Sequence, residues 1–329
     1  MADLASPAQN TNTVALQRIP KIAVYSPDGA QPWDDAVTMV LEYADIPFTT
    51  IYDTEILDGS LGDYQWLHLH HEDFTGQYGK FYGSYRDAAW YINQKASFEA
   101  AAREMGYAKV SQQKGAVAQS IAAYVNAGGF LFAMCSATDS YDIALAAQNT
   151  DICESMFDGD PMAPGAAYRL DYTPCFAFEN FTLETNPLRY EYSNIDITDR
   201  RVRSMKEDKD YFELFDFSAK YDVVPTILVQ NHTDLVRGFY GQTTAFAPTT
   251  LKPTTTILGT NTVDGAVRYI HGTQGKGYWT FYGGHDPEVH QHRVGDHPTD
   301  LHNHPNRPRH RVNHNHILFP SPHKPREHT

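Results

Sequence analysis

Gly128-Gly129-Phe130-Leu131-Phe132-Ala133-Met134-Cys135-Ser136-Ala137-Thr138-Asp139 is the stretch that decides the fold. The two glycines close a helical segment, Lys109 to Asn126, as a C-cap does. Five apolar residues follow, a run that is short for a helix and reads as a strand buried on both faces. The run stops on a cysteine, and small, helix-starting residues come next, with a new helix expected near Asp139. A buried strand therefore delivers a thiol to a sharp turn at the mouth of a helix.

Strands and helices alternate outward from this point. Lys21 to Tyr25 reads as a buried strand closed by the turn residues Ser26-Pro27-Asp28-Gly29. Pro32-Trp33-Asp34-Asp35 opens a helix whose apolar face is Val37, Val40, Leu41 and Ala44. Phe48–Tyr52 and Tyr64–His70 are further strands, and Ser84 to Glu104 is helical. Strand-like runs return at Thr226–Gln230, Thr254–Leu258, Val267–His271 and Tyr278–Tyr282. The glycines from Gly272 to Gly277 lie between two of these runs and read as a hairpin turn. This alternation predicts an α/β fold, a flavodoxin-like three-layer sandwich with a mostly parallel sheet. Such sheets place ligands at the carboxyl ends of strands, where Cys135, the His68–Glu72 stretch and His285 all fall.

Residues 1–19 read as a flexible lead-in and residues 20–290 as the α/β domain. Within it, 151–222 is acidic, aromatic and poor in periodicity, either an insertion or cap on the sheet or an ordinary surface excursion. Residues 291–329 form a His/Pro-rich C-terminal extension. Eleven of the sixteen histidines lie in the last 45 residues. Pairs such as His302/His304 and His314/His316 could chelate a metal, the tail could dock on a neighbouring subunit, or it could be a solvated extension.

Composition narrows the function. A formal charge of −14 argues against a nucleic-acid partner, because polyphosphate would be repelled. No apolar run approaches the ~20 residues of a membrane span, and Met1 to Gln17 lacks the apolar core of a signal peptide. Cys135, Cys153 and Cys175 form no Cys-x-x-Cys pair, which argues against a disulfide framework or a structural zinc site. No phosphate-binding loop and no Gly-x-Gly-x-x-Gly follows a strand, so neither ATP nor a dinucleotide is signalled and no cofactor is expected.

The remaining chemistry centres on a thiol, an imidazole and a carboxylate. Cys135 at a helix N-terminus gains from the dipole and free N–H groups, which lower a thiol pKa. The N–H of Ser136 could hold an oxyanion. The alternative is a small buried core cysteine. His285 follows Gly283-Gly284, which let the backbone turn and aim the ring as a general base. Glu288 would orient that ring, with Asp286 competing for the role; the alternatives are a strand-end histidine bonded to backbone and a surface acid. In His68-Leu69-His70-His71-Glu72-Asp73, His68 and His70 share one side of a strand and His71 faces the other. Three readings stay open: His70, His71 and Glu72 as a substrate wall beside Cys135, with the Phe74–Gly76 loop donating to an oxyanion; a metal site using His70 and Glu72; or buried, hydrogen-bonded histidines.

The order Cys135, His285, Glu288 resembles class I glutamine amidotransferase-like domains, where a cysteine sits on a strand-to-helix elbow and a histidine and glutamate follow the last core strand. Two departures stand out. The family motif reads His-x-Glu, whereas this chain has His285-Asp286-Pro287-Glu288. The family elbow reads Gly-x-Cys-x-Gly, whereas this chain has Ala133-Met134-Cys135-Ser136-Ala137. Residues 20–320 further resemble a group of bacterial proteins, common in Bacteroidetes-like genomes, that are labelled asparagine synthetase B. Gln31–Ala36, Leu67–Lys80, Phe132–Ser140 and Tyr282–Glu288 carry this likeness, and it implies an exported, periplasmic or extracellular, protein. An ATP-dependent synthetase of that kind uses an N-terminal cysteine and a Ser-Gly-Gly-x-Asp-Ser loop. This chain begins Met1-Ala2-Asp3, and its nearest string, Ser136-Ala137-Thr138-Asp139-Ser140, lacks both glycines. The resemblance thus implies a cysteine-dependent amidohydrolase or amidotransferase-like enzyme with a Cys135–His285–Glu288 triad, acting on a small carboxamide or related acyl substrate. The competing expectation is a non-catalytic binding or assembly protein on the same scaffold, homo-oligomeric or metal-binding through its histidines.

Overall fold

The structure, a computed structural model, describes residues 20–27, 36–198, 211–214, 235–237 and 241–284. Among them, nine strands form one sheet: β1 (Ile22–Tyr25), β2 (Phe48–Ile51), β3 (Trp66–Leu69), β4 (Phe130–Met134), β5 (Tyr211–Leu214), β6 (Leu235–Arg237), β7 (Thr256–Thr260), β8 (Val267–Gln274) and β9 (Gly277–Tyr282). Their spatial order is β2-β1-β3-β4-β9-β8-β7-β5-β6. The first five are mutually parallel and reproduce the 2-1-3-4-5 order of flavodoxin-like sheets. The other four extend the sheet by antiparallel pairing.

The helices are α1 (Ala36–Tyr43), α2 (Asp53–Leu57), α3 (Tyr82–Tyr85), α4 (Ala89–Glu104), α5 (Val110–Ala127), α6 (Ser136–Ala146) and α7 (Ser155–Asp158). Side chains alternate across each strand, and the two faces carry separate apolar clusters. Ala23, Leu67 and Leu131 pack with Ile121 of α5 and Tyr141 of α6. Ile22, Trp66, Phe130 and Phe132 pack with Val37 and Leu41 of α1. Two helical layers around a sheet make the expected three-layer sandwich.

The sequence-derived boundaries shift for local reasons. Four-residue α3 and the turn at Arg86–Ala88 break the expected helix, so α4 begins at Ala89. Helix α6 starts at Ser136, three residues before Asp139, because Cys135 makes the turn by itself. The β8–β9 hairpin turns on Gly275 and Lys276, between paired Gln274 and Gly277. Gly275 has φ +59°, and a Cβ there would meet the Asn126 carbonyl oxygen at 2.7 Å. Pro32–Asp35 and Thr226–Gln230 lie outside the described residues.

Every residue of α6 is buried. Phe176, Phe178, Phe181, Tyr192 and Ile195 join its cluster, so these side chains are core. Asp142 pins it there by accepting the backbone N–H of Phe176, Ala177 and Phe178 at 2.8, 2.7 and 2.9 Å.

A buried ion pair ties β1 and β2 to α5. Lys114 Nζ reaches both Asp53 carboxylate oxygens at 2.8 and 2.9 Å and donates to Tyr25 and Tyr52 hydroxyls at 2.8 and 3.0 Å. Tyr25 and Gln113 also donate to Asp53. These groups occupy the carboxyl ends of β1 and β2 with satisfied polar side chains. Removing one partner strands the other charge in the interior. Asp53→Ala should therefore cost about 3–5 kcal/mol in urea unfolding, and an Asp53→Leu/Lys114→Met double variant should recover most of that loss.

Candidate active site

Cys135 sits where β4 ends and α6 begins, with φ +51° and ψ −136°. A non-glycine residue at positive φ carries strain of about 1–3 kcal/mol and persists only where its surroundings hold it. Here the Cys135 N–H bonds to the Tyr282 carbonyl at the end of β9 (3.1 Å). Its own carbonyl accepts the Thr138 N–H at 3.1 Å and the Thr138 hydroxyl at 2.6 Å. Ala133 and Ala137 are fully buried. The elbow forms with alanines where the family pattern has glycines.

The thiol does not behave as its position at a helix mouth suggests. It is 2% exposed and donates to the Gln242 carbonyl at 3.0 Å. Burial pushes its pKa from the ordinary 9.0 up to about 12, although N–H donation from Ser136 favours the thiolate. Desolvation outweighs the helix terminus because it acts on the whole charge.

A strap formed by Gln242, Thr243 and Thr244 provides the cover. The Gln242 side chain donates to the Tyr190 carbonyl and, at 3.5 Å, to that of Gly79. Thr243, with φ +45°, accepts the Gly284 N–H on its carbonyl at 3.0 Å. The strap thus crosses the carboxyl ends of β4 and β9. His285 is the next residue after Gly284; it and Glu288 lie outside the described residues.

The loop after β3 abuts the elbow. Ser136 Oγ donates to the His71 carbonyl at 2.8 Å and Ser140 Oγ to the Glu72 carbonyl at 2.9 Å. These bonds tie the backbone of His71 and Glu72 to the first turn of α6, next to Cys135. His68 and His70 are buried with ring centroids 6.1 Å apart, and His71 is exposed. Glu72 turns back on its own loop, accepting the N–H groups of His70 and His71 at 2.8 and 3.1 Å. Loss of hydration nonetheless raises it from 4.5 to about 7. The Phe74 N–H goes to Ser140 Oγ (3.3 Å) and the Thr75 N–H to Asp73 (2.7 Å). Neither is offered to an oxyanion, whereas the Ser136 N–H is directed at the Cys135 sulfur.

Several residues at this centre escape the sequence reading. Asp139 is fully buried and bonds through Oδ1 to Thr243 Oγ1 at 3.1 Å. Asp196 bonds through Oδ2 to the Thr243 N–H at 3.2 Å. The available signal is Asp139 and Asp142 three apart in an otherwise small and apolar helix, a pattern that ordinarily marks a solvent face. Elsewhere, ligand atoms of Asp151, Cys153 and Asp158 lie within 4.8 Å of one another. Lys109 already supplies the cation, at 2.6 Å from Asp151 and 3.1 Å from Asp158. Among the described residues, no helix is long and apolar enough to cross a membrane.

No family model matches the chain, and no curated protein matches it significantly. Solved structures share its path distantly. A cytoplasmic protein of Salmonella typhimurium aligns at 9% identity and TM-score 0.43, covering 92% of this chain and 100% of its own. A candidate GMP synthase subunit from Thermoplasma acidophilum aligns at 8% identity and TM-score 0.39, covering 92% and 96%. The GH42 β-galactosidase Gan42B of G. stearothermophilus aligns at 10% identity and TM-score 0.33, over 83% of this chain and 29% of the enzyme.

Two outcomes follow from the site's electrostatics. At pH 8, native Cys135 should alkylate with iodoacetamide on the order of a hundredfold or more slower than a free thiol, and unfolding in urea should abolish the difference. Glu72 binds its proton more tightly folded than unfolded, so its contribution to stability is full below pH 4.5 and is lost as pH rises toward about 7. Urea melts of Glu72→Gln between those pH values should show a shallower decline than the native protein.

Proposed function

We propose that this chain is a cysteine-dependent amidohydrolase or glutamine amidotransferase-like enzyme that attacks the carbonyl carbon of a carboxamide or related acyl group. The observation that carries this reading is the Cys135 backbone, a strained elbow between β4 and a helix N-terminus. Strain of this sort clusters at functional sites. The parallel β4–β9 pairing supports the reading further, because it starts the chain toward His285 from the strand beside Cys135.

In the proposed cycle, substrate draws the Gln242 carbonyl away from the thiol. The Sγ–H proton passes to His285 while Sγ bonds to the acyl carbon, and the Ser136 N–H receives the developing oxyanion. His285 then protonates the departing nitrogen, and the C–N bond breaks. Water, deprotonated by His285, cleaves the thioester and returns the thiol. Glu288 orients the ring, and His70, His71 and Glu72 form the wall of the substrate site.

The covered thiol favours a second reading, a binding or assembly protein on the same scaffold. Exposed aromatics support it: Tyr85 and Trp90 are 45% and 46% exposed with ring centroids 5.1 Å apart.

Ammonia release from a panel of small carboxamides decides between them. The enzyme reading expects turnover by the native chain, an acyl adduct on the Cys135 peptide by mass spectrometry, and loss of both in a folded Cys135→Ala variant. Turnover undiminished in that variant would end the nucleophile assignment. Absence of turnover and adduct, together with a Trp90→Ser variant that falls to a smaller species in sedimentation, would establish the second reading.

A further inference from the structure

Asp139 lies in the first turn of α6, four residues past Cys135, the residue that precedes the helix. Its carboxyl is fully buried, and Oδ2 has no hydrogen-bond partner among the described residues. Oδ1 meets the Thr243 hydroxyl at 3.1 Å, and Asp196 meets the N–H of the same threonine at 3.2 Å. The residue before it, Gln242, accepts the Cys135 thiol. Two carboxyls and a thiol therefore converge on Gln242 and Thr243 of the strap, and Thr243 is a β-branched residue at positive φ, a rare conformation for that shape.

The surroundings do not neutralise these acids. Neither carboxylate has an ion-pair partner among the described residues. Tyr192, buried, is electrostatically coupled to Asp139, Cys135 and Asp73 and can only add negative charge. Glu72 and Asp73 are the carboxylates of the loop after β3. On β8, Arg268 brings a buried cation to the far end of the strap, donating from Nη1 to the Thr244 carbonyl at 2.9 Å. Burial, then mutual repulsion, raises Asp139 well above the ordinary carboxylate range, and burial raises Asp196. Like charges in a shared dry site cannot all ionise.

We infer that Asp139 and Asp196 are positioning residues that form one protonation unit with Cys135, in which each carboxyl that loses its proton makes the thiolate harder to form. The proposal rests on the Cys135 reading for its catalytic meaning: the resting centre holds the thiol neutral, and a substrate with an uncharged reacting group, such as a carboxamide, enters without adding a further anion.

The test is the pH profile of iodoacetamide alkylation at Cys135, followed by mass spectrometry of its peptide in the full chain from pH 6 to 11. Removing one carboxylate removes repulsion that opposes the thiolate. Folded Asp139→Asn and Asp196→Asn should therefore move the profile to lower pH, and a midpoint lowered by about one pH unit makes alkylation at pH 8 about tenfold faster. Asp139→Glu, which keeps the charge, should stay near the native profile, and Thr243→Ser controls for packing. Near-UV circular dichroism establishes that each variant is folded, and if Asp139→Asn is not, Asp196→Asn and Asp139→Glu still decide. Profiles of folded asparagine variants that coincide with the native one, or move to higher pH, would overturn the proposal. Displaced profiles in a chain that releases no ammonia would leave the protonation unit standing and sink the amidohydrolase reading. Turnover with unmoved profiles would do the reverse.

Discussion

The structure is organised around one backbone constraint: β4 must give way to α6 within a single residue, and that residue is Cys135 at positive φ. The turn has no glycine to relieve it. It is held from three sides, by the Tyr282 carbonyl at the end of β9, by the first turn of α6, and by Ser136 and Ser140 bonding the loop after β3. The first and third of these depend on the parallel order β3-β4-β9, which sets the ends of those strands side by side. A different strand order would remove both the Tyr282 contact and the loop that carries His70 to Glu72.

Two electrostatic effects compete at this turn. The helix N-terminus and the Ser136 N–H favour a thiolate. Burial by the Gln242–Thr244 strap opposes it, and burial prevails because a helix terminus contributes only partial charges whereas desolvation acts on a full one. The same accounting separates the two buried polar clusters. Asp53 is matched by the Lys114 cation with Tyr25 and Gln113, whereas Asp139 and Asp196 share Thr243 and otherwise accept only from neutral donors of Ser140 and Thr198. The matched cluster anchors the fold, and the unmatched one makes the charge state of Cys135 conditional.

Much of the fold is legible in the sequence because parallel strands buried on both faces write themselves as continuous apolar runs. Phe130–Met134 matches its apolar run residue for residue, and the hairpin at Gly275 follows from glycine spacing between two such runs. The helix expected over 84–104 is too long, since the break at Arg86–Ala88 has no glycine and its one-turn helix is fixed by aromatic packing of Phe81 with Tyr85 and Trp90. The stretch from Phe176 to Ile195 gives no periodic signal, because its backbone is paired by the Asp142 carboxylate and isolated bridges rather than by a regular ladder.

By itself the sequence determined the layered α/β class and the thiol at a strand end, since both depend on local apolar patterning and on where it stops. Only the tertiary structure decided the state of that thiol. Its cover comes from Gln242, its neighbours include Asp196, and both are remote in the chain. Burial and charge coupling are sums over space, and no window of sequence contains them.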